Sequence, residues 1–369
     1  MESNTTLPNF PCPAYGLNHE EWQLALKEVF GQPRFRADQI FKSLYKEAAS
    51  DWEAFTTLPA PLRQTLAAQV PIEAMRIVEA KPSQDGTVKL LLACASDGET
   101  IESVLIPSKD RMTQCISTQA GCNFRCAFCA SGRLGKTRDL TTAEIVAQVM
   151  EAVRFLSGRA GTFTRPSNLV VMGMGEPFDN YDNVLKALKI LNAQKGLDVG
   201  ARHITLSTCG VVPGIRRLAG EGLQFELSVS LHAPNQELRK GLMPVSRKWP
   251  LEELIPACAE YTKATGRLVT FEYTLIRQIN DQPHHADELI SLLRALPCKV
   301  NLIPLSPVEG FAGRRPDNAS CLAFLDQLMR AKIPTTMRNS RGGDVDAACG
   351  QLRLRRLTTT SPGEGGNTP

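Results

Sequence analysis

Three cysteines, Cys122, Cys126 and Cys129, fall within eight residues in the stretch GCNFRCAFCASGRLGKTRDL (121–140). They are spaced so that three and then two residues separate them. The same stretch holds four basic residues, Arg125, Arg133, Lys136 and Arg138, and no obvious fourth ligand. Thiolates suit zinc or iron–sulfur clusters. Structural zinc takes four ligands, commonly as two separated pairs, and no second pair follows here. A fully ligated [4Fe–4S] cluster takes four cysteines. Three cysteines leave one iron open to a substrate or cofactor. A zinc site is the competing reading. A chance cluster of buried thiols is a third, against which Asn123, Arg125 and the glycines speak.

Further chemistry-bearing residues are scattered along the chain. VVMGMGEP brings Gly173, Gly175 and Glu176 to a strand end, where glycine allows close backbone approach to a ligand and Glu176 can accept hydrogen bonds from an ammonium group. Ser207 ends a third strand, and Ser230, Leu231 and His232 end a fourth. Ser230 and His232 are expected on one side of their strand. A histidine at a strand end is as readily a satisfied structural residue as a ligand. Cys349 stands in a polar, glycine-rich stretch, GGDVDAACGQL, which suits a reactive thiol better than a core one. Cys115 lies seven residues before the triplet; its bland reading is a small buried hydrophobe. Glu102, in TIESVLIP, shares a strand face with Val104 and Ile106. A carboxylate facing apolar residues is unusual, and partial burial would suit a base. An exposed edge-strand glutamate is the plainer alternative, and Glu99 a rival placed in the turn.

The chain that must position these groups has 369 residues, 43% hydrophobic and 22% charged, which permits a large buried core. The net charge of +4 decides nothing about nucleic acid. The N-terminus shows no basic-then-apolar leader, and no run long enough to span a bilayer occurs, so a cytoplasmic chain without a membrane segment is expected. In that reducing setting, eleven cysteines read as metal-binding or catalytic rather than disulfide-forming.

Residues 1–17 read as a loose arm. Asn18 and Glu21 form a capping-box pattern that opens a helix, and two further helical segments follow to about residue 70. Arg34, Arg36, Lys42 and Lys46 are there either as a solvated face or as an RNA-contacting one. Three strands separated by turns occupy about 75–107. Strands then alternate with helices: strands at 113–117, 167–172, 202–207, 224–230, 268–275, 299–304 and 334–338, and helices near 141–157, 180–194, 213–219, 250–265, 284–296 and 318–330. This alternation means a parallel sheet with helices outside. The expected fold is therefore α/β: a partial (βα)6 barrel preceded by a small N-terminal helical domain and a short antiparallel meander. The boundaries expected are 1–72, 73–107, 108–345 and a C-terminal segment, 346–369, whose tail is low in apolar residues and expected to be disordered. The cysteine triplet, GMGEP, STCG and SLHA all fall at strand C-terminal ends, the rim where such folds gather ligands.

The C-x3-C-x2-C spacing, with Phe128 before the last cysteine, resembles the radical S-adenosylmethionine (SAM) signature. Together with VMGMGEPFDNYDNV, ITLSTCGVVPGI, LSVSLHAPNQELR, NLIPLSPVEG and SRGGDVDAACGQL, it resembles the RlmN/Cfr family of RNA methyltransferases over about residues 20–357. The resemblance implies a [4Fe–4S] cluster on Cys122, Cys126 and Cys129. It implies SAM held by Gly175, Glu176, Ser207, Ser230, Leu231, His232 and Ser306. It implies that Cys349 carries a methyl group from one SAM and is activated by a radical from a second. Adenine C2 and C8 are too electron-poor for a polar methylation, hence the radical. Glu102 would accept the ring proton, and Cys115 would resolve the protein–RNA adduct through a transient disulfide with Cys349. The implied substrates are an adenosine of the 23S rRNA peptidyl-transferase centre and, in many members, the adenosine beside the tRNA anticodon. RLGKTR, GRR (313–315) and RLRR (353–356) offer cations for phosphates. C2 methylation is favoured over C8, and a non-catalytic zinc-stabilised RNA-binding protein is the alternative of another class. A monomer served by a reducing system such as flavodoxin or ferredoxin completes the expectation. Two departures from the family pattern stand out: Ser306 replaces an asparagine, and Gly343 an acidic residue.

Overall fold

The computed structural model describes residues 11–308 and 310–338. Three helices open the chain: α1 (His19–Glu28), α2 (Arg36–Tyr45) and α3 (Ala60–Gln69). The expected capping box is formed. Asn18 Oδ1 accepts the Glu21 N–H at 2.9 Å, and Glu21 Oε2 accepts the Asn18 N–H at 2.8 Å. The loose arm expected over residues 1–17 is wrong for its described part. Ala14, Tyr15 and Leu17 are buried, and Tyr15 Oη accepts a 2.8 Å hydrogen bond from Arg154. Short apolar anchors between polar residues escaped the reading because they span less than one helical repeat.

Strands β1 (Met75–Pro82), β2 (Val88–Cys94) and β3 (Thr100–Ser108) form the expected meander. It is not a separate sheet: β3 pairs antiparallel with β4 (Arg111–Cys115), the first strand of the barrel. A small hairpin, β5 (Gln119–Cys122) and β6 (Gly135–Asp139), encloses the cysteine loop and the short helix α4 (Ala130–Leu134). The remaining elements alternate: α5 (Thr142–Ala160), β7 (Asn168–Val171), α6 (Tyr181–Asn192), β8 (Ile204–Thr208), α7 (Val212–Ala219), β9 (Glu226–Ser230), α8 (Gln236–Leu242), α9 (Leu251–Thr265), β10 (Val269–Leu275), α10 (Pro283–Leu293), β11 (Cys298–Pro304), α11 (Asn318–Arg330) and β12 (Thr335–Met337). The sheet order is β1-β2-β3-β4-β7-β8-β9-β10-β11-β12, parallel from β4 onward. The partial barrel is thus as expected, widened on one side by the meander. The β5–β6 hairpin, α4 and α8 were not foreseen, since each is too short to show a period.

Register defines the face that matters. Lys89 pairs with Val104, Val104 with Cys115, Cys115 with Val170, Val170 with Thr205, and Thr205 with Glu226. Side chains paired across strands share a face. Two residues further toward the rim, Ser207 pairs with Ser228 and Ser228 with Thr270; Glu272 pairs with Ser230 and Asn301. The inner face is therefore rich in polar groups. The outer face is apolar, with Leu206, Leu227, Val229, Phe271, Tyr273 and Leu302 all buried against the helices. Each such side chain contributes roughly 1.5–3 kcal/mol when fully buried. One continuous core runs from Ala14 to Ile333. No helix among the described residues is long and apolar enough to cross a membrane.

Candidate active site at the cysteine-rich rim

The cysteine loop sits where β4 delivers the chain to the rim. Cys122 ends β5, and the loop returns through α4 into β6. Ala127 N–H is tied to the Leu242 carbonyl at 2.9 Å, Lys136 N–H to Asn123 Oδ1 at 3.1 Å, and Cys129 N–H to the Cys126 carbonyl at 3.1 Å. Arg125 takes a positive φ of 51° to make the bend. Cys122, Cys126 and Cys129 all line one cavity of about 160 Å³, together with Phe128. Burial pushes the Cys122 thiol up to about 12 and holds that of Cys126 well above the usual range. Cluster or metal binding must therefore drive proton release there.

The other rim motifs converge on the same cavity. Gly175, Glu176, Ser207, Ser230 and His232 line it. Leu231 and Ser306, also expected to contact SAM, do not. Leu231 is buried and donates its N–H to the Glu272 carbonyl at 3.0 Å, while Ser306 is partly exposed beyond the end of β11. The glycines act differently from expectation. A methyl on Gly173 would stand 2.6 Å from both the Ile116 carbonyl oxygen and Ser117 Oγ. One on Gly175 (φ 104°) would stand 2.6 Å from Thr118 Oγ1. The close approach is to the protein's own β4–β5 connection, which these glycines let slide beneath the rim.

Glu176 is fully engaged by backbone. Its Oε1 accepts the Phe178 N–H at 3.0 Å, and its Oε2 accepts the Cys209 N–H at 2.7 Å. These bonds fix its orientation, though burial still pushes its carboxyl above the ordinary range. Each oxygen keeps a second lone pair for an ammonium donor. His232 is not on the strand as expected: β9 ends at Ser230, and His232 turns out with φ 55°. Its Nδ1 accepts the Thr274 N–H at 2.9 Å, and its ring meets Phe128 edge-on at 4.7 Å. Burial brings its pKa down to about 3, so the imidazole is neutral.

Sequence reading missed two residues that line the cavity and a buried arginine beside them. Glu272 lines the cavity from β10, its carboxyl pushed up by burial and receiving the Ser207 hydroxyl at 3.4 Å. Cys209 adds a thiol beside Glu176. Arg239 is completely buried, donating to the carbonyls of Leu231, Cys209 and Ser230. Its Nη1 has no hydrogen-bond partner, and the thiols of Cys209 and Cys126 are among the groups its charge acts on. A buried cation beside neutral thiols is costly; thiolates bearing an anionic cluster would compensate it. Among the described residues, no three His, Cys, Asp or Glu side chains converge tightly enough for one metal ion. The three thiols line one cavity, and three thiolates would hold three irons of a cluster. The donors present therefore fit a cluster.

Glu102 lies in the wall below. It is 2% exposed, on a strand flanked by β2 and β4, not an edge. Lys89, equally buried, places Nζ 2.9 Å from its Oε2. Cys115 is on the same face, its thiol pushed up to about 11 by burial and sensing the charges of Arg338, Glu272 and Glu102. Cys349 lies outside the described residues, as do Gly343, the 353–356 arginines and the tail. Two of the four cations of the cysteine loop are paired within the protein. Lys136 pairs with Asp139 and Asp179, and Arg138 with Asp97 and Glu144.

A parallel barrel segment with a three-cysteine loop after its first strand defines a radical SAM enzyme, and residues 116–290 match the Radical SAM superfamily. Over 354 residues the chain is 43% identical to a probable dual-specificity RNA methyltransferase RlmN from Akkermansia muciniphila, covering 94% of this chain and 97% of that protein. A protein of the same name from Symbiobacterium thermophilum is 45% identical, covering 93% and 91%. The crystal structure of a radical SAM methyltransferase from Sphaerobacter thermophilus superposes with a TM-score of 0.88 at 46% identity, covering 92% and 99%. The chain belongs to the RlmN family of radical SAM RNA methyltransferases. Its cofactors are a [4Fe–4S] cluster and SAM.

Proposed function

We propose that this enzyme methylates C2 of adenine in two RNAs, the 23S rRNA peptidyl-transferase adenosine and the tRNA adenosine beside the anticodon. The observation that carries this reading is register. Glu102 and Cys115 occupy the same sheet face as Ser207, Ser230 and Glu272, which line the cysteine cavity. A base and a thiol are thus set below a cluster site. Bound there, the cluster and SAM supply the radical that activates a methyl group. Cys122, Cys126 and Cys129 would hold the cluster, and Gly175, Glu176, Ser207, Ser230 and His232 would hold SAM. Glu102 takes the C2 proton, the C–H electron pair stays on the purine, and the one odd electron left on the adduct would return to the cluster, which is one electron short after cleaving SAM. Cys115, giving up its thiol proton as it does so, then attacks the Cys349 sulfur. A sulfur–sulfur bond forms, the carbon–sulfur bond breaks, and its electron pair passes to the carbon, which is protonated to a methyl group. A flavodoxin- or ferredoxin-like donor supplies reducing equivalents, in a cytoplasmic setting and with the chain acting as a monomer. The adenine must leave its stack to reach this face.

The test is anaerobic reconstitution, then turnover with methyl-labelled SAM, a reductant, and either a 23S rRNA fragment or tRNA, read by nucleoside mass spectrometry beside Cys349→Ala. The expected product from both RNAs is 2-methyladenosine, absent in the variant. Formation of 8-methyladenosine, or SAM cleavage with no methylated adenosine, would overturn the reading.

A further inference from the structure

Lys89 is the one charged residue in the β2 stretch VKLLLAC, every residue of which is buried. Lysine is almost never fully buried unless paired. Here the pairing is to Glu102, at 2.9 Å, with side-chain exposures of 0% and 2%. The register explains the contact. Lys89 stands opposite Val104 and Glu102 opposite Leu91, so the two charges meet diagonally on the inner face. Neither residue touches the cysteine loop by sequence or pairing.

We propose that Lys89 is the positioning residue for Glu102, holding its carboxylate ionised and aimed along the barrel's inner face so that it can accept the substrate proton. This rests on the reading of Glu102 as base. Burial disfavours the charged form of a carboxyl. A protonated Glu102 has no basicity to offer. An ammonium group 2.9 Å away opposes that penalty and aims the carboxylate oxygen it holds. Other charged groups among the described residues also face this region. The Cys115 thiol on β4 is neutral in its burial, and Glu272 on β10 can only oppose ionisation. Arg338, beyond β12, is exposed, so solvent screens it. The Glu102 main-chain carbonyl is also held, accepting the Ser117 hydroxyl at 2.6 Å. Main-chain and side-chain ends of Glu102 are thus fixed from the β4–β5 connection and from β2.

The experiment uses the full reconstituted enzyme carrying methylated Cys349, in single-turnover assays with a 23S rRNA fragment between about pH 6 and 9. Lys89→Met is expected to move the acid limb of product formation upward by at least about one pH unit, a tenfold loss on that limb that alkaline buffer restores. Lys89→Arg is expected to keep the acid limb close to wild type. Lys89→Gln fills similar space without charge and carries the same test if the methionine variant does not fold. SAM cleavage and iron content should be unchanged in all three. Glu102→Ala, run alongside, is expected to stall with protein–RNA adduct at every pH. An unmoved acid limb in the uncharged variants, with Glu102→Ala stalled, overturns the role of Lys89 alone. Normal turnover by Glu102→Ala overturns the base reading and this proposal with it.

Discussion

The two walls of the site are built by different physics. The cysteine wall is local: Cys122, Cys126 and Cys129 lie within one hairpin loop, closed by a few main-chain bonds and by β5 and β6. The meander wall is long-range. Glu102, Lys89 and Cys115 come from three strands, and only strand register brings them to one face. The cysteine wall tolerates error in the rest of the fold but needs its ligands. The meander wall needs no special residue spacing, but a slip of one residue would turn every group in a strand to the opposite face.

The largest effect should come from breaking the cysteine wall at its deepest thiol. Cys126→Ala is expected to abolish stable cluster binding and methyl transfer while leaving the far-ultraviolet circular dichroism of the protein unchanged. Iron analysis and visible absorbance check this. Retention of a full cluster would show that Cys126 is not a ligand. Breaking the meander wall should instead cost stability. Lys89→Met leaves a buried carboxyl without its counter-ion and is expected to destabilise by about 3 kcal/mol in chemical denaturation. The double variant Lys89→Met/Glu102→Leu should recover most of that loss, because removing both charges removes the desolvation cost as well. If the single variant costs no more than a surface exchange, the ion pair does not hold this wall together.

This contrast also explains what could be read in advance. The triplet spacing, GMGEP, STCG and SLHA are contiguous, so their chemistry and rim position were legible. So were the parallel strands, because strand–helix alternation is a strong periodic signal. Lys89 was not legible as a partner of Glu102, since twelve residues, a turn among them, separate the two and only the pairing of β2 with β3 aligns them. Glu272 sat inside an apolar strand, VTFEYTL, that gave no sign of which face it served. Arg239 lies in a helix too short to show a period and drew no reading, yet it is fully buried. His232 was placed on a strand that in fact stops two residues earlier. Each miss involves tertiary burial of a residue whose neighbours in sequence look ordinary.

The two walls meet at the glycines and at one arginine, and these set the smaller effects. Gly173→Ala puts a methyl into the β4–β5 connection, where both obstructing atoms belong to a fixed part of the chain. An overpacking cost of about 1–3 kcal/mol is expected. Weaker SAM binding should accompany it, measured by calorimetry on the reconstituted enzyme. Unchanged SAM affinity with lowered stability would mean that the rim absorbs the displacement without moving Glu176.

Arg138 ties the walls directly. From β6 it reaches Asp97 in the β2–β3 turn, with Nε 2.6 Å from Oδ2, and Glu144 at the start of α5, with Nη2 2.8 Å from Oε1. The guanidinium beside Asp97 brings its pKa down to about 2, and the same group helps hold Glu144 below the usual range against its burial. Both carboxylates therefore have folded values below their unfolded ones. Their stabilisation is fully present above the unfolded values and fades as pH falls through the folded values. Asp97 is largely exposed, so most of the effect must come through Glu144. Arg138→Gln is expected to cost about 1 kcal/mol at pH 7. The gap from wild type should close as pH is lowered from about 5 toward 2, because both proteins then carry protonated acids at these positions. Cluster content should stay at the wild-type level, since the cysteine loop keeps its own closing bonds. A loss of iron in this variant would mean that the meander braces the cysteine wall and that the two are one mechanical unit.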